Sequence, residues 1–498
     1  MRSIKFLQLV SFLSRLVAML VGIFQSLLIV NILTTSEFGL IGLVASIAGV
    51  VGIAQHLGLA SSSTKEISAA KDDTEIFHIA LTSISIRYII SLPIAIVLIF
   101  FAPFISEYYK NVQLISPLRI FGLVLLVQAF QSIFNSIISG KQEFKKLFSY
   151  QIYISLISLF IFIPLVYFQG LMGYFYALLI FNIIQTLILG LISIGNLKFK
   201  FTLPTKSEYK RLFYELLKVS MAIYLVKVIF TAWQEMPVLI LGQRYSLEMI
   251  GIFTFAFNFA SKLMSISDSV TDVNLPVFSK KVLDGADGFF KEFGENFNFL
   301  YSTIFLIGTG IIYWSKEILK LSDYFIYVFI KIVGLNLSKN IYDKYEPAIY
   351  LFFPLVLSII FYSYLNIFKS SIYVPLSRLR KMINSYLLMI LTSFGLFYLL
   401  VEVLKIFTDG LLVMSWSLAI GSLMAFVYLF FDILKSYEYQ VLSSKNIVLS
   451  LFSVVLCSFT FFQLNLFVKI IYFLLFFLVI NFVFKINLFQ IILKRFKK

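Results

Sequence analysis

The sequence predicts an all-α polytopic membrane protein, and three observations carry that prediction. Of the 498 residues, 60% are apolar and 13% charged, against about half and about a quarter in soluble domains. The apolar residues are gathered into runs of roughly the 20 residues that a helix needs to cross a bilayer. Between the runs, Lys and Arg are dense in one gap and sparse in the next. About 14 transmembrane helices are expected.

In chain order the spans are read near 7-33, 38-59, 79-102, 118-139, 148-168, 171-193, 219-242, 249-273, 297-314, 348-368, 383-404, 411-433, 446-462 and 466-485. The first follows Arg2 and Lys5, is too long for a signal-peptide core and has no small-residue cleavage site behind it, so it is expected to be retained. Pro93, Pro164, Pro237 and Pro354 are expected to kink their helices. The gap at 315-347 stands apart because it is long and contains YFIYVFIKIVGL. Twelve residues are short for a span, so this stretch is read as an interfacial or loop helix on the outer side, with a broken ninth helix as the alternative.

The formal charge is +16, which in a soluble protein would suggest nucleic acid. In a membrane chain the pull of cytoplasmic loops on Lys and Arg comes first. Even-numbered gaps and the two termini hold 27 of the 41 basic residues, and the opposite gaps hold eight. That asymmetry places both termini in the cytoplasm, and no nucleic-acid partner is expected. The other six, Arg15, Arg87, Arg119, Lys227, Lys262 and Lys469, fall within spans or at their edges. Cys457 is the single cysteine, so there is no internal disulfide and no cysteine-based zinc cluster.

An internal echo divides the chain. LTTSEFGLIGLVASIAG follows span one and LGQRYSLEMIGIFTFAFNFA follows span seven, with Gly39 and Gly251 opening the next helix 212 positions apart. Arg15 and Lys227 share that offset, each about eight residues or 12 Å into its span. A second echo pairs YFQGLMGYFYALL with IFTDGLLVMSWSLA, Gly170 with Gly410. Two six-span halves beginning on the same side would be parallel repeats. The expected division is a six-helix bundle over 1-195, a second over 196-440, and two added helices with a basic tail over 441-498.

Charges inside a bilayer are costly and usually face a cavity or a partner. Gln8, Ser11, Arg15, Gly22 and Ser26 fall on one face of span one. Lys227, Thr231, Gln234 and Glu235 share an arc of about 100° on span seven. Lys262, Ser265, Ser269 and Asp272 lie within about 80° on span eight, with Asp268 at the edge. Span two offers Gly39, Gly42, Ser46 and Gly49, a small-residue face suited to close packing or to a passage. A hydrated basic cavity would suit an anionic substrate: Arg15, Lys227 and Lys262 are the candidates for a diphosphate group, with Gln234 beside them. Burial in ion pairs or snorkelling is the competing reading of each. Glu235, Asp268 and Asp272 are candidates for coupling to a cation or proton. Arg87 and Glu402 are read as interfacial, as are His56 and His78, and Trp314 with Tyr108 and Tyr109 as parts of an outer aromatic belt. There is no Walker A, HExxH or GxSxG motif, so no cofactor is expected and a gradient or substrate supply would drive transport.

TTSEFGLIGLVASI, GKQEFKKLF, FQGLMGYFYALL and the run from Gln234 to Lys280 ending in VNLPVFSK resemble the polysaccharide-exporter branch of the multidrug/oligosaccharidyl-lipid/polysaccharide flippase superfamily, the O-antigen-type flippases, over residues 1-440. The resemblance implies two six-helix bundles facing each other across a cavity, alternating access, and movement of a polyprenyl-diphosphate-linked glycan to the outer leaflet of the cell membrane for surface polysaccharide biosynthesis. Implied partners are that lipid-linked substrate, membrane lipid and polysaccharide assembly proteins. The family commonly carries Asp near the middle of span seven, where Glu235 stands in WQEMPVLILG. A cation-coupled multidrug exporter and, further off, a membrane polymerase or glycosyltransferase are the alternatives; the leading reading is not an enzyme.

Overall fold

A computed structural model of the chain describes residues 4–56, 59–141, 143–195, 202–268, 271, 274, 278, 289–334, 341–376, 378–406, 409–437, 442–458 and 465–484. These residues form helices and no strand. The breaks between helices follow local chemistry. After α1 (Ile4–Ile32), Thr34 donates its backbone N–H to Glu37 Oε2 at 2.8 Å and accepts from Glu37 N at 3.2 Å, a capping box that starts α2 (Thr35–His56). A short α3 (Leu59–Ala69) leads to α4 (Asp73–Tyr108), whose first turn is held by Asp72 Oδ1 accepting from Glu75 N at 2.8 Å. Next come α5 (Ile115–Gly140) and α6 (Phe144–Ile194).

The 51 residues of α6 contain one non-helical position, Gly170 at φ +56, ψ −135. Only glycine takes such a conformation without strain, and it splits α6 where spans five and six were expected to part. Thr205 caps α7 (Lys206–Gly242), and Ser246 holds the start of α8 (Leu247–Ser261). The chain continues as α9 (Phe289–Tyr313), α10 (Ser315–Val333), α11 (Ile341–Tyr345), α12 (Ile349–Phe368, continued by a π turn to Tyr373), α13 (Leu379–Tyr398), α14 (Gly410–Tyr437), α15 (Ser444–Ser458) and α16 (Leu466–Phe484). Asp409 caps α14, so Gly410 opens a helix as its counterpart Gly170 does.

Among the described residues, nine helices are long and apolar enough to cross a membrane, or ten if α9 and α10 count as one span bent by 71° at Trp314. Reaching fourteen requires taking α6 as two arms and adding α1, α9, α15 and α16. The first ten residues of the twelve-residue outer stretch, Tyr324–Val333, close the 19-residue α10, which begins nine residues earlier at Ser315.

The chain divides into two compact units: residues 1–255 with 322–345, and residues 256–321 with 346–498. In unit one, glycines and hydroxyls let helices approach closely. Gly122 of α5 lies against Ala95 and Ile99 of α4, and Ser158 of α6 bonds Gln25 of α1 at 2.5 Å. Unit two has an aromatic centre: Tyr301 stacks on Tyr364 at 4.6 Å, and Phe297, Phe368 and Phe426 pack around them. Here α15 is joined to α9 by Asn446 Nδ2 donating to Asn298 Oδ1 at 2.8 Å.

The glycines of the echo meet each other in unit one. A Cβ built on Gly39 would run into the Leu247 carbonyl and sit 2.8 Å from Gly251 N, while one built on Gly251 would run into the Thr35 carbonyl and sit 3.1 Å from Gly39 N. Thr35 and Leu247 are themselves 212 apart, as are Gly42 and Thr254, which also touch. Each side thus makes the contact the other makes, as expected of a contact lying on a local two-fold between repeats.

Candidate functional site

The small-residue face of α2 serves close packing. Gly39 and Gly42 admit α8; Ser46 and Gly49, one and two turns on, admit the Glu235 side chain of α7. Ser46 Oγ donates to Glu235 Oε2 at 2.9 Å, and a Cβ on Gly49 would lie 3.1 Å from the Glu235 chain. The carboxylate is thereby fixed half-buried on a polar seam, with Gln234 half-buried beside it.

Lys227 lies eight residues before Glu235 on α7, about 12 Å along the axis. Its side chain is exposed, and it lies within reach of the Arg87 charge. Arg87 departs from the interfacial reading given above: it is 1% exposed. Helix α4 starts at Asp73, six residues before the apolar run does, so Arg87 is the fifteenth residue of a 36-residue helix rather than one near its end. One turn on, Ser91 Oγ bonds the Arg87 carbonyl at 2.7 Å and Gln55 Oε1 at 3.1 Å, with Gln55 itself buried on α2. Arg87 of α4 and Lys227 of α7 thus lie within reach of each other, with the Glu235 carboxylate about two turns further along α7. Arg15 lies in α1 at a position whose side chain is outside the described residues, as is all of Asp272.

In unit two, span eight is not one continuous helix. Lys262, Leu263, Ser265 and Ile266 donate to carbonyls three residues back, at 3.1 to 3.2 Å. This tightened turn rotates Asp268 relative to Lys262 away from the register that an unbroken helix gives. Lys262 is half-buried there. Asp268 accepts from Asn366 Nδ2 of α12 at 2.8 Å, and the hydroxyls of Tyr362 and Tyr386, whose rings meet edge to face at 6.3 Å, lie within reach of its charge. Nearby Asn274 Nδ2 donates to Ser371 Oγ at 3.0 Å.

Sequence reasoning placed Ser46 on a small-residue face without seeing its partner, and missed Gln55, Asn366 and the tyrosine pair. Serines on a small-residue face and a lone Asn in an apolar run were the available signals. His78 is also more than interfacial: Nδ1 pairs with Glu208 Oε1 at 2.9 Å and Nε2 meets the Thr202 carbonyl at 2.9 Å, fastening the start of α4 to the start of α7. Chemically, the cations suit phosphate oxygens, the amides and hydroxyls suit a sugar, and the two carboxylates suit a proton or small cation.

A two-unit all-α chain with polar seams inside apolar helices is the architecture of a multi-span membrane protein. The solved structures it resembles agree in fold. It is similar to the lipid II flippase MurJ in an inward closed conformation, with TM-score 0.70 and 16% identity over 97% of this chain and all of that one. It is similar to an inward-facing multidrug resistance MATE family transporter of the MOP superfamily, with TM-score 0.63 and 13% identity over 87% of this chain and all of that one. A third is a MOP superfamily transporter from Pyrococcus furiosus reported with reversed binding-pocket polarity, with TM-score 0.53 and 14% identity over 86% of this chain and 95% of that one. No curated protein matches the chain. Residues 28–321 match the family described as polysaccharide biosynthesis protein, and the chain belongs to that family.

Proposed function

We propose that the protein is a flippase that moves a polyprenyl-diphosphate-linked oligosaccharide across the cytoplasmic membrane by alternating access, for surface polysaccharide biosynthesis. The observation that carries the reading is the pair of intramembrane cations, Arg87 and Lys227, gathered in a chain of the polysaccharide biosynthesis family whose fold matches a lipid-linked flippase over nearly its whole length. Arg15, Lys227 and Lys262 hold the diphosphate and Gln234 contacts the sugar, while the prenyl tail stays in lipid. Spans 1-6 (1-195) and 7-12 (196-440) rock as two bundles, 441-498 adds two helices, and both termini face the cytoplasm, where assembly proteins deliver the substrate. Glu235, Asp268 and Asp272 couple the cycle to a cation or proton.

The test is Lys227→Ala and Arg15→Ala in cells, with surface glycan and membrane-inserted protein measured together. Both variants are expected to insert normally and lose export; normal export by both removes the phosphate-binding argument. A second reading, a cation-coupled multidrug exporter, is favoured by the MATE-like fold and by the two intramembrane carboxylates Glu235 and Asp268, each hydrogen-bonded within its own unit. Drug resistance conferred by the protein in cells that make no such glycan would favour it instead.

A further inference from the structure

The lipid-facing side of α6 carries a cleft of about 330 Å³ that plays no part in the flipping site. It lies between the two arms of α6 in unit one. Lys146, Ser149 and Tyr153 line one end and Ile154, Ile157 and Ile188 the other. The lining positions recur at helical spacing, so a single face of the first arm runs from charge through hydroxyls to pure hydrocarbon. From Lys146 to Ile157 is eleven residues, about 16 Å, which is close to one leaflet of a hydrocarbon core about 30 Å thick.

The surroundings say what fills it. Tyr153 is 66% exposed, Phe160 80% and Leu187 61%, so the cleft opens onto the surface that hydrocarbon covers. At the polar end Lys145 is exposed, and Lys146 Nζ is 2.7 Å from Glu143 Oε2. An ammonium carries three donors and this bond uses one. Lys141 next to them is paired with Asp73 at 3.0 Å, so the rim keeps a net positive charge. Basic pockets between membrane helices on the cytoplasmic side are where anionic head groups bind.

We infer that this cleft is a binding site for one anionic phospholipid of the cytoplasmic leaflet. The phosphate sits on Lys145 and Lys146 with Ser149 and Tyr153 as hydroxyl partners, and an acyl chain lies along the isoleucines. The assignment of leaflet rests on the cytoplasmic placement of the termini proposed above; the occupant does not depend on what the protein transports.

The experiment uses the full chain in phosphatidylcholine vesicles doped with a phosphatidylglycerol that bears a photoreactive group on its acyl chain, with adducts mapped by mass spectrometry. Labelling is expected on both arms of α6 around Ile157 and Ile188. It should fall by roughly fivefold for each lysine neutralised in Lys145→Gln and Lys146→Gln. Ile188→Trp, which fills the cleft and leaves the rim charges in place, should also remove it, and Lys435→Gln should leave it unchanged. Equal labelling by a photoreactive phosphatidylcholine, or lysine variants that label as the parent does, would overturn the site. Displacement of the label by a polyprenyl phosphate but not by excess phosphatidylglycerol would overturn the phospholipid and assign the cleft to the prenyl tail. Because no flipping is measured, this result stands apart from the export test.

Discussion

The reciprocal contact of α2 and α8 makes a prediction whose size follows from its geometry. Gly251→Ala places a methyl group 2.9 Å from the Thr35 carbonyl carbon and 3.1 Å from Gly39 N, and Gly39→Ala places one 2.8 Å from Gly251 N. Each methyl group also runs into a carbonyl oxygen, of Thr35 or of Leu247, and carbon and oxygen rest at about 3.3–3.6 Å, so it asks the helices to part by more than about 1 Å. The obstacle is backbone on both sides, and no rotamer change relieves it. Overpacking of this kind costs about 1–3 kcal/mol. The two methyl groups press across the same interface, so the parting forced by the first accommodates much of the second. The double variant should therefore fall short of the sum of the singles by about 1 kcal/mol or more, within the range of couplings between residues in contact. Thermal unfolding of the purified protein in one detergent reads this, with Gly310→Ala as control, since nothing lies within 4 Å of a Cβ there. If Gly251→Ala unfolds where Gly310→Ala does, or the two alanines add strictly, the close contact is not present in the protein.

Other residues give further expectations. Lys469 is 5% exposed, and its Nζ bonds both Glu317 oxygens at 2.9 and 3.2 Å. Lys469→Met alone should destabilise by about 3 kcal/mol, near the low end for a broken buried pair because Glu317 is partly exposed, and adding Glu317→Leu should recover most of the loss in the same unfolding assay. Glu235→Gln keeps the size of the side chain and the Ser46 contact but loses the charge, so export should lose its response to an imposed ion gradient while the folded yield stays level; an unchanged response would leave Glu235 a packing residue. A reporter fused after Lys339 should read the same side of the membrane as one after Lys110 and the opposite side to one after Thr205.

Much of the fold was legible because bilayer physics writes it coarsely: apolar runs of set length, and Gly170 between two of them. What was not legible were features set by neighbours in space. Arg87 was misjudged because the apolar run marks where hydrocarbon begins, whereas the capping residue Asp72 marks where the helix begins, six residues earlier. The span-eight stripe assumed an unbroken helix, and no Gly or Pro near Lys262 announced the tightened turn. The glycines on span two left packing and passage open, since only the partner helix decides. Gly39 and Gly251 were recognised as equivalent from their offset; that they touch is a fact of the fold.

Sidedness can be argued from contacts within unit one, independently of charge. Gln243 Nε2, at the end of α7, donates to Tyr108 OH, at the end of α4, at 2.6 Å, and His78 joins the start of α4 to the start of α7. Groups in contact lie on one side, so the chain between each pair crosses the membrane an even number of times. Between Tyr108 and Gln243 stand α5, α6 and α7, and the count is even only if α6 crosses twice, which makes the break at Gly170 a turn back rather than a kink. Likewise Lys344 Nζ donates to the Asn31 and Leu33 carbonyls at the end of α1, at 2.8 and 3.0 Å. If α2, α4, α5, both arms of α6, α7, α8 and α9 each cross, those are eight crossings, and α10 cannot add a ninth. That excludes α10 as a span of its own, and the exposed Leu321, Tyr324, Phe325 and Val328 along one of its faces suit an interfacial helix. It also explains a lysine on the sparse side: Lys344 caps the carbonyl end of α1, where a cation is stabilising, so its position answers to α1 and not to topology. Charge is left one binary choice, which face is which, and 27 basic residues against eight is the asymmetry on which the proposed orientation rests.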